Sequence, residues 1–167
     1  LLNAFEGGDA RRSGWVGSFN TSSTLYHFAS KYKNSERGSA VTEYFMVLRL
    51  SELYLIRAEA RAQQDKSEAL DDLNEIRNRA GLDDYAGPTD KTSVINAILH
   101  ERQVELFTEW GHRWFDLKRT GRLDGLMSGP SGITALKGGT WTKNDTILPL
   151  PITEIAANPN LEPNLGY

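Results

Sequence analysis

Two apolar stripes separated by a few polar residues constrain this chain more than any other feature. Tyr44, Val47, Leu48, Tyr54, Leu55, Ala58 and Ala62 recur at intervals of three and four, the spacing that gathers side chains on one helical face. They predict a helix from Glu43 to Gln63. After Gln64-Asp65-Lys66-Ser67 the pattern resumes with Ala69, Leu70, Leu73, Ile76 and Ala80, and Gly81 stands where a left-handed stop is expected. Asp65, followed three positions later by Glu68, fits a capping box at the second helix's start. Helices joined by so short a link lie antiparallel. Small residues at Ala58, Ala60, Ala62 and Ala69 permit close approach, as in a tetratricopeptide-type unit of about 34 residues. One such unit cannot cover its own faces, because repeats are stabilised by their neighbours. No second clear copy follows, so the hairpin is expected to have partners beyond this chain.

The flanks are less regular. The first 40 residues are rich in Gly, Ser and aromatics without a sustained period, and read as loop with short extended pieces. Beyond the Gly87-Pro88 loop, Thr92 or Ser93 is expected to cap a third helix from Val94 to about Trp110. Its buried face carries Val94, Ile95, Ile98, Leu99, Leu106 and Trp110. His112 to Thr120 gives a further short amphipathic helix that Gly121 ends. Past Gly125 the Gly and Pro residues break any pattern, apart from one turn expected at Thr153 to Ala157. The fold class is therefore mainly α: a tetratricopeptide-like helical hairpin of an α/α superhelix, between irregular, loop-rich amino-terminal and carboxy-terminal segments. The divisions are 1–41 loop-rich, 42–81 hairpin, 92–121 helices and 122–167 irregular tail.

Charge narrows the functions. With 22 acidic and 19 basic residues the formal net charge is -3, against the basic footprint that nucleic-acid binding needs. Cys is absent, so disulfides, cysteine nucleophiles and thiolate metal sites are excluded within these residues. No apolar run approaches the roughly 18 residues that span a bilayer. The sequence opens on Leu1 rather than Met, within a Gly- and Arg-containing stretch, and is expected to be a portion of something larger.

Three constellations could carry chemistry. Glu101, Glu105 and Glu109 share one helical face, and Arg102, Arg113 and Arg119, with Asp116 nearby in sequence, can neutralise them. A carboxylate pair for glycoside hydrolysis is one reading. A structural ion-pair lattice of Glu101, Arg102, Glu105, Arg113, Asp116 and Arg119 is the reading preferred here, since such spacing is ordinary in helices and nothing in the sequence predicts an elevated carboxylate pKa. Glu109-x-x-His112 spells a di-iron ligand pair, but it occurs once and contains Gly111, so no metal or other cofactor is expected. Finally, Trp15, Phe19, Tyr26, Phe28 and Tyr32 lie beside Asp9, Arg11, Arg12 and Asn20. Aromatic faces beside hydrogen-bonding side chains suit a sugar, whose C–H faces pack on rings. Trp15, Phe19, Tyr26 and Asn20 are the candidate ligand-binding residues.

The order of motifs resembles the carboxy-terminal region of the SusD/RagB family, surface glycan-capture lipoproteins of Bacteroidetes-type outer membranes. The likeness runs from Gly8-Asp9-x-Arg11-Arg12 through Leu48 to Ala60, Ala69 to Leu82, Glu101-Arg102-x-x-Glu105-Leu106 and Gly111-x-Arg113-Trp114-Phe115-Asp116-Leu117-x-Arg119-Thr120-Gly121. It ends on Leu148-Pro149-Leu150-Pro151-x-x-Glu154-Ile155-x-x-Asn158-Pro159-Asn160-Leu161 and Asn164-x-Gly166-Tyr167. The resemblance implies tetratricopeptide-like hairpins scaffolding a ligand surface, and function without catalysis. Family members hold oligosaccharides at the cell surface and pass them to a SusC-like TonB-dependent transporter. It further implies outer-membrane localisation through a lipidated cysteine that lies, with the first helical units, outside this chain. The Arg and Glu motifs are scaffold in this reading, and no glycan-contact residue transfers by motif. The alternative is a tetratricopeptide-like module that grips a protein partner and binds no sugar.

Overall fold

The computed structural model describes residues 1–34 and 37–167; residues 35 and 36, inside the loop-rich segment, lie outside the described residues. The chain divides into two units, Leu1–Arg113 and Trp114–Tyr167.

In the first unit a 3-10 turn at Leu2–Ala4 precedes α1 (Ala10–Trp15), a helix that sequence periodicity did not indicate. Asp9 starts it by accepting a hydrogen bond from the Arg11 N–H at 2.9 Å. The Ala10 N–H ties this start to the Ala80 carbonyl at the end of the hairpin. Strands β1 (Val16–Asn20) and β2 (Leu25–Ala29) then pair antiparallel, with Gly17 opposite Phe28 and Phe19 opposite Tyr26.

The core is built by α2 (Leu50–Gln63), α3 (Ala69–Arg79) and α4 (Lys91–Glu105). The buried face of α2 is Ser51, Leu55, Ala58 and Ala62, at steps of four, three and four. It meets Ala69, Leu73 and Ile76 of α3 and Val94 and Ile98 of α4 in one cluster. Asp72, buried on α3, accepts hydrogen bonds from Arg57 at 2.6 Å and Arg61 at 2.7 Å on α2, clamping the pair.

Four expectations change here. α2 begins at Leu50, not Glu43, and Tyr44, Val47 and Leu48 are exposed. Tyr44 to Leu48 is an unbroken apolar run, which satisfies any period. Arg49 must stay extended, at φ -125° and ψ 141°, to turn its guanidinium inward. The Asp65–Glu68 capping box is not formed: Asp65 takes φ +56°, which an Asp tolerates, and pairs with Lys91. α4 is capped by Asp90, whose carboxylate accepts the Ser93 N–H at 3.1 Å, rather than by Thr92 or Ser93. It also ends at Glu105, and Trp110 is exposed instead of buried. Gly81 does supply the left-handed stop, at φ +80°.

The second unit takes most of α5 (His112–Arg119), whose first two residues belong to the first, then α6 (Leu123–Met127), α7 (Ile133–Leu136), a 3-10 turn at Lys143–Thr146 and α8 (Ile152–Ala157). The Trp141 indole N–H donates to Asp124 at 2.9 Å and its ring meets Trp114 edge-on. The closing Asn164-x-Gly166-Tyr167 acts as a staple, with Asn164 donating to the Leu148 carbonyl at 2.8 Å and the Tyr167 hydroxyl to the Ile147 carbonyl at 2.9 Å. Gly166 is required there: its φ is +100° and a Cβ would overlap Asn144.

Candidate functional site

Two arrangements stand out in the first unit: a buried cluster of charges and an exposed aromatic hairpin. Glu105 is 0% exposed. Its carboxylate accepts hydrogen bonds from Arg11 at 3.0 Å, Arg49 at 2.7 Å and Arg79 at 2.6 Å. Glu101, one helical turn earlier on α4, accepts from the same Arg11 Nη1 at 2.5 Å and lies 3.7 Å from Arg77. Arg11 also forks onto Asp9, at 2.9 and 2.8 Å. Glu109 accepts from Lys31 at 2.6 Å and Arg49 at 3.0 Å. Unpaired, any of these charges would be very costly to bury.

The titration properties follow from this packing. Burial opposes the Glu105 anion, but bonds from Arg79 and Arg49 outweigh it and hold the carboxyl at about 2. For Glu101 burial wins, and the carboxyl is pushed above its ordinary value although Arg11 and Arg77 pull the other way. Burial likewise pushes the Lys31 ammonium down against the pull of Glu109. A carboxylic acid that donates protons in hydrolysis has to meet its substrate. Glu101 and Glu105 are both sealed from solvent and bridged by one guanidinium, an arrangement suited to fastening α1, the α2 start and the α3 end onto α4.

The sequence anticipated Glu101 and Glu105 but not these partners. Arg11, Lys31, Arg49 and Arg79 come from four separate stretches, so helical spacing carries no signal for them. The short Asp9-x-Arg11 step is the one local signal, since Asp9 both starts α1 and holds the Arg11 guanidinium. Of the other lattice residues, Arg102 is buried on α4, Arg113 closes the first unit, and Asp116 pairs with Arg119 at 2.8 Å within the second. Glu109-x-x-His112 does not converge as a metal pair: Glu109 faces Lys31 and Arg49, and His112 lies 3.6 Å from Glu52. Ligand atoms of Glu6, His100 and Glu101 do gather within 4.8 Å. Arg77, however, bonds both Glu6 oxygens, at 2.6 and 3.0 Å, and already supplies that cluster's positive charge.

The hairpin brings together two of the four candidate ligand residues as stacked rings. Phe19 and Tyr26 face each other across the strands with centroids 5.3 Å apart and planes 18° apart, and are 53% and 48% exposed. Phe28 joins them, 6.1 Å from Phe19, and lies over Gly17, where a Cβ would overlap its ring. Strand alternation puts Gly17, Phe19, Tyr26 and Phe28 on one face. Asn20 is next along β1, exposed and opposite Leu25. Trp15 lies elsewhere, at the end of α1: Lys31 Nζ is 4.7 Å from its ring centroid and the Arg49 and Arg79 guanidiniums are 5.8 and 5.9 Å away. Its indole roofs the charge cluster.

A profile of the SusD family matches residues 3–167. SusD-like protein P2 of Formosa agariphila is 32% identical over 148 residues, covering 83% of this chain and 28% of the relative. Among solved structures, a SusD superfamily protein from Bacteroides vulgatus aligns over 96% of this chain and 36% of its own, with TM-score 0.72 and 31% identity. A SusD-like carbohydrate binding protein from the same species shares the fold over 71% of this chain and 26% of its own, at TM-score 0.59 and 22% identity. The chain thus spans under a third of the curated relative's length.

Proposed function

The chain belongs to the SusD family, and from that premise we propose that it serves non-catalytic oligosaccharide binding, with the exposed Phe19–Tyr26 pair as a stacking surface. The observation that carries this reading is that pair itself. Large aromatics are mostly buried on average, yet a two-stranded hairpin holds these two parallel and half-exposed. Parallel open rings take the C–H face of a pyranose; Asn20, the next residue on β1, lies on the opposite face of the hairpin and is not part of this surface. Trp15, over the charge cluster, is not part of this stacking surface. The cluster of Glu101 and Glu105 with Arg11, Arg49, Arg77 and Arg79 is scaffold in this reading, and the Asp116–Arg119 pair is a separate contact within the second unit.

The wider role in this reading is nutrient capture at the bacterial outer-membrane surface and delivery to a SusC-like TonB-dependent transporter. Among the described residues no helix is long and apolar enough to cross a membrane, and attachment through a lipid anchor outside this chain accords with that. The test is native affinity electrophoresis of the full-length protein through gels containing neutral polysaccharides. Retardation by one polymer, weakened about ten-fold in Tyr26→Ala as expected for loss of a stacking contact of about 1–2 kcal/mol, supports the reading. A folded protein that no polymer retards sinks it.

A further inference from the structure

A second set of rings, which the hairpin platform does not use, converges in the first unit. Tyr32 and Phe45 stack with centroids 5.3 Å apart and planes 20° apart, and Phe45 meets Trp110 edge-on at 5.0 Å. All three are exposed, Trp110 by 51%. The patch is tied together through the backbone: the Met46 N–H donates to the Tyr32 hydroxyl at 3.1 Å, and the Trp110 indole N–H reaches the Met46 carbonyl at 3.4 Å.

How Trp110 comes to be outside is informative. A simple continuation of α4 would carry it inward with Leu106, where burial of an indole is favourable. Instead α4 stops at Glu105, and Thr108 and Trp110 adopt φ of +59° and +42°, a region that side-chain-bearing residues rarely occupy. Such outliers persist only where the surroundings over-determine them, and they concentrate at functional sites. Here the constraint is visible. Lys31 and Glu109 point inward and bond each other at 2.6 Å, so their chain neighbours Tyr32 and Trp110 turn outward onto one patch. One buried ion pair thus positions two exposed rings.

We propose that Tyr32, Phe45 and Trp110 form a second stacking platform for a neutral pyranose, positioned by the Lys31–Glu109 pair. The proposal rests on the reading that the protein binds oligosaccharide. The patch is aromatic at its centre, and Asn34, two residues after Tyr32, is hydrogen-bonded to Thr42, Glu43 and the Ala40 carbonyl, close in sequence to Phe45. That combination suits a ring with an apolar face and a hydroxylated edge.

The experiment is calorimetric titration of the full-length protein with maltohexaose, xylohexaose and mannohexaose, in wild type, Trp110→Ala, Trp110→Phe and a Phe19→Ala/Tyr26→Ala double variant. Tryptophan emission is followed in parallel. Expected is a roughly ten-fold loss of affinity in Trp110→Ala for whichever hexaose the wild type binds, and recovery of most of it in Trp110→Phe. A ligand-induced emission shift present in wild type and missing in Trp110→Phe is also expected, and this readout decides if Trp110→Ala fails to fold. Wild-type binding that both Trp110 variants retain, with no difference in emission shift, overturns the proposal while leaving the hairpin reading intact. A wild type that binds none of the sugars overturns both.

Discussion

Replacing Glu105 by Gln keeps the side chain's shape and removes its charge, leaving Arg11, Arg49 and Arg79 facing a neutral amide. The cost can be worked from titration. The carboxyl is held at about 2 in the folded protein against an ordinary value of 4.5, a difference worth about 3 kcal/mol. Breaking a buried pair by removing one partner costs about 3–5 kcal/mol by a separate route. Glu105→Gln is therefore expected to lose about 3–4 kcal/mol at pH 7. The sign in pH follows from a folded value below the unfolded one: the stabilisation is complete above pH about 4.5 and is lost as pH falls through about 2. The gap between wild type and variant should accordingly narrow to less than half its pH 7 size at pH 3. Urea unfolding followed by circular dichroism at 222 nm, at pH 7 and pH 3 for both proteins, reads the gap directly. A gap under about 1 kcal/mol at pH 7, or one as large at pH 3, refutes the reasoning.

Other expectations follow from single contacts. Leu55→Ala, at a fully buried position between α2, α3 and α4, should cost about 2–5 kcal/mol in the same unfolding assay. Asp90→Ala removes the α4 cap and should cost about 1 kcal/mol. Gly166→Ala forces a Cβ onto Asn144 at φ +100°; it should free the carboxy-terminal staple and speed proteolysis after Leu148, whereas unchanged cleavage would mean the staple is unimportant.

The hairpin and third helix were legible because Leu55, Leu73 and Ile98 and their neighbours repeat with the helical period and do form the core. Boundaries were not. Tyr44 to Leu48 is apolar throughout, so nothing local distinguishes a helix from the extended run that Arg49 requires. Trp110 looks like a core residue until Lys31 draws Glu109 inward from 78 positions away. β1 and β2 have five residues each, too few for a period to emerge, and α1 is shorter than two turns. The charge cluster was half visible: Glu101 and Glu105 sit on one helix at neighbouring turns, while the cations that bind them are brought together only by the tertiary fold.

The central claim separates an aromatic binding surface from a charged scaffold. Its most direct test measures sugar affinity and unfolding free energy together, in Phe19→Ala/Tyr26→Ala and in Glu105→Gln. The double hairpin variant should lose affinity ten-fold or more while its stability falls by less than about 1 kcal/mol. Glu105→Gln should lose about 3–4 kcal/mol of stability and, where still folded, bind sugar as the wild type does. Unchanged affinity in the hairpin variant, with affinity abolished in folded Glu105→Gln, would contradict the account.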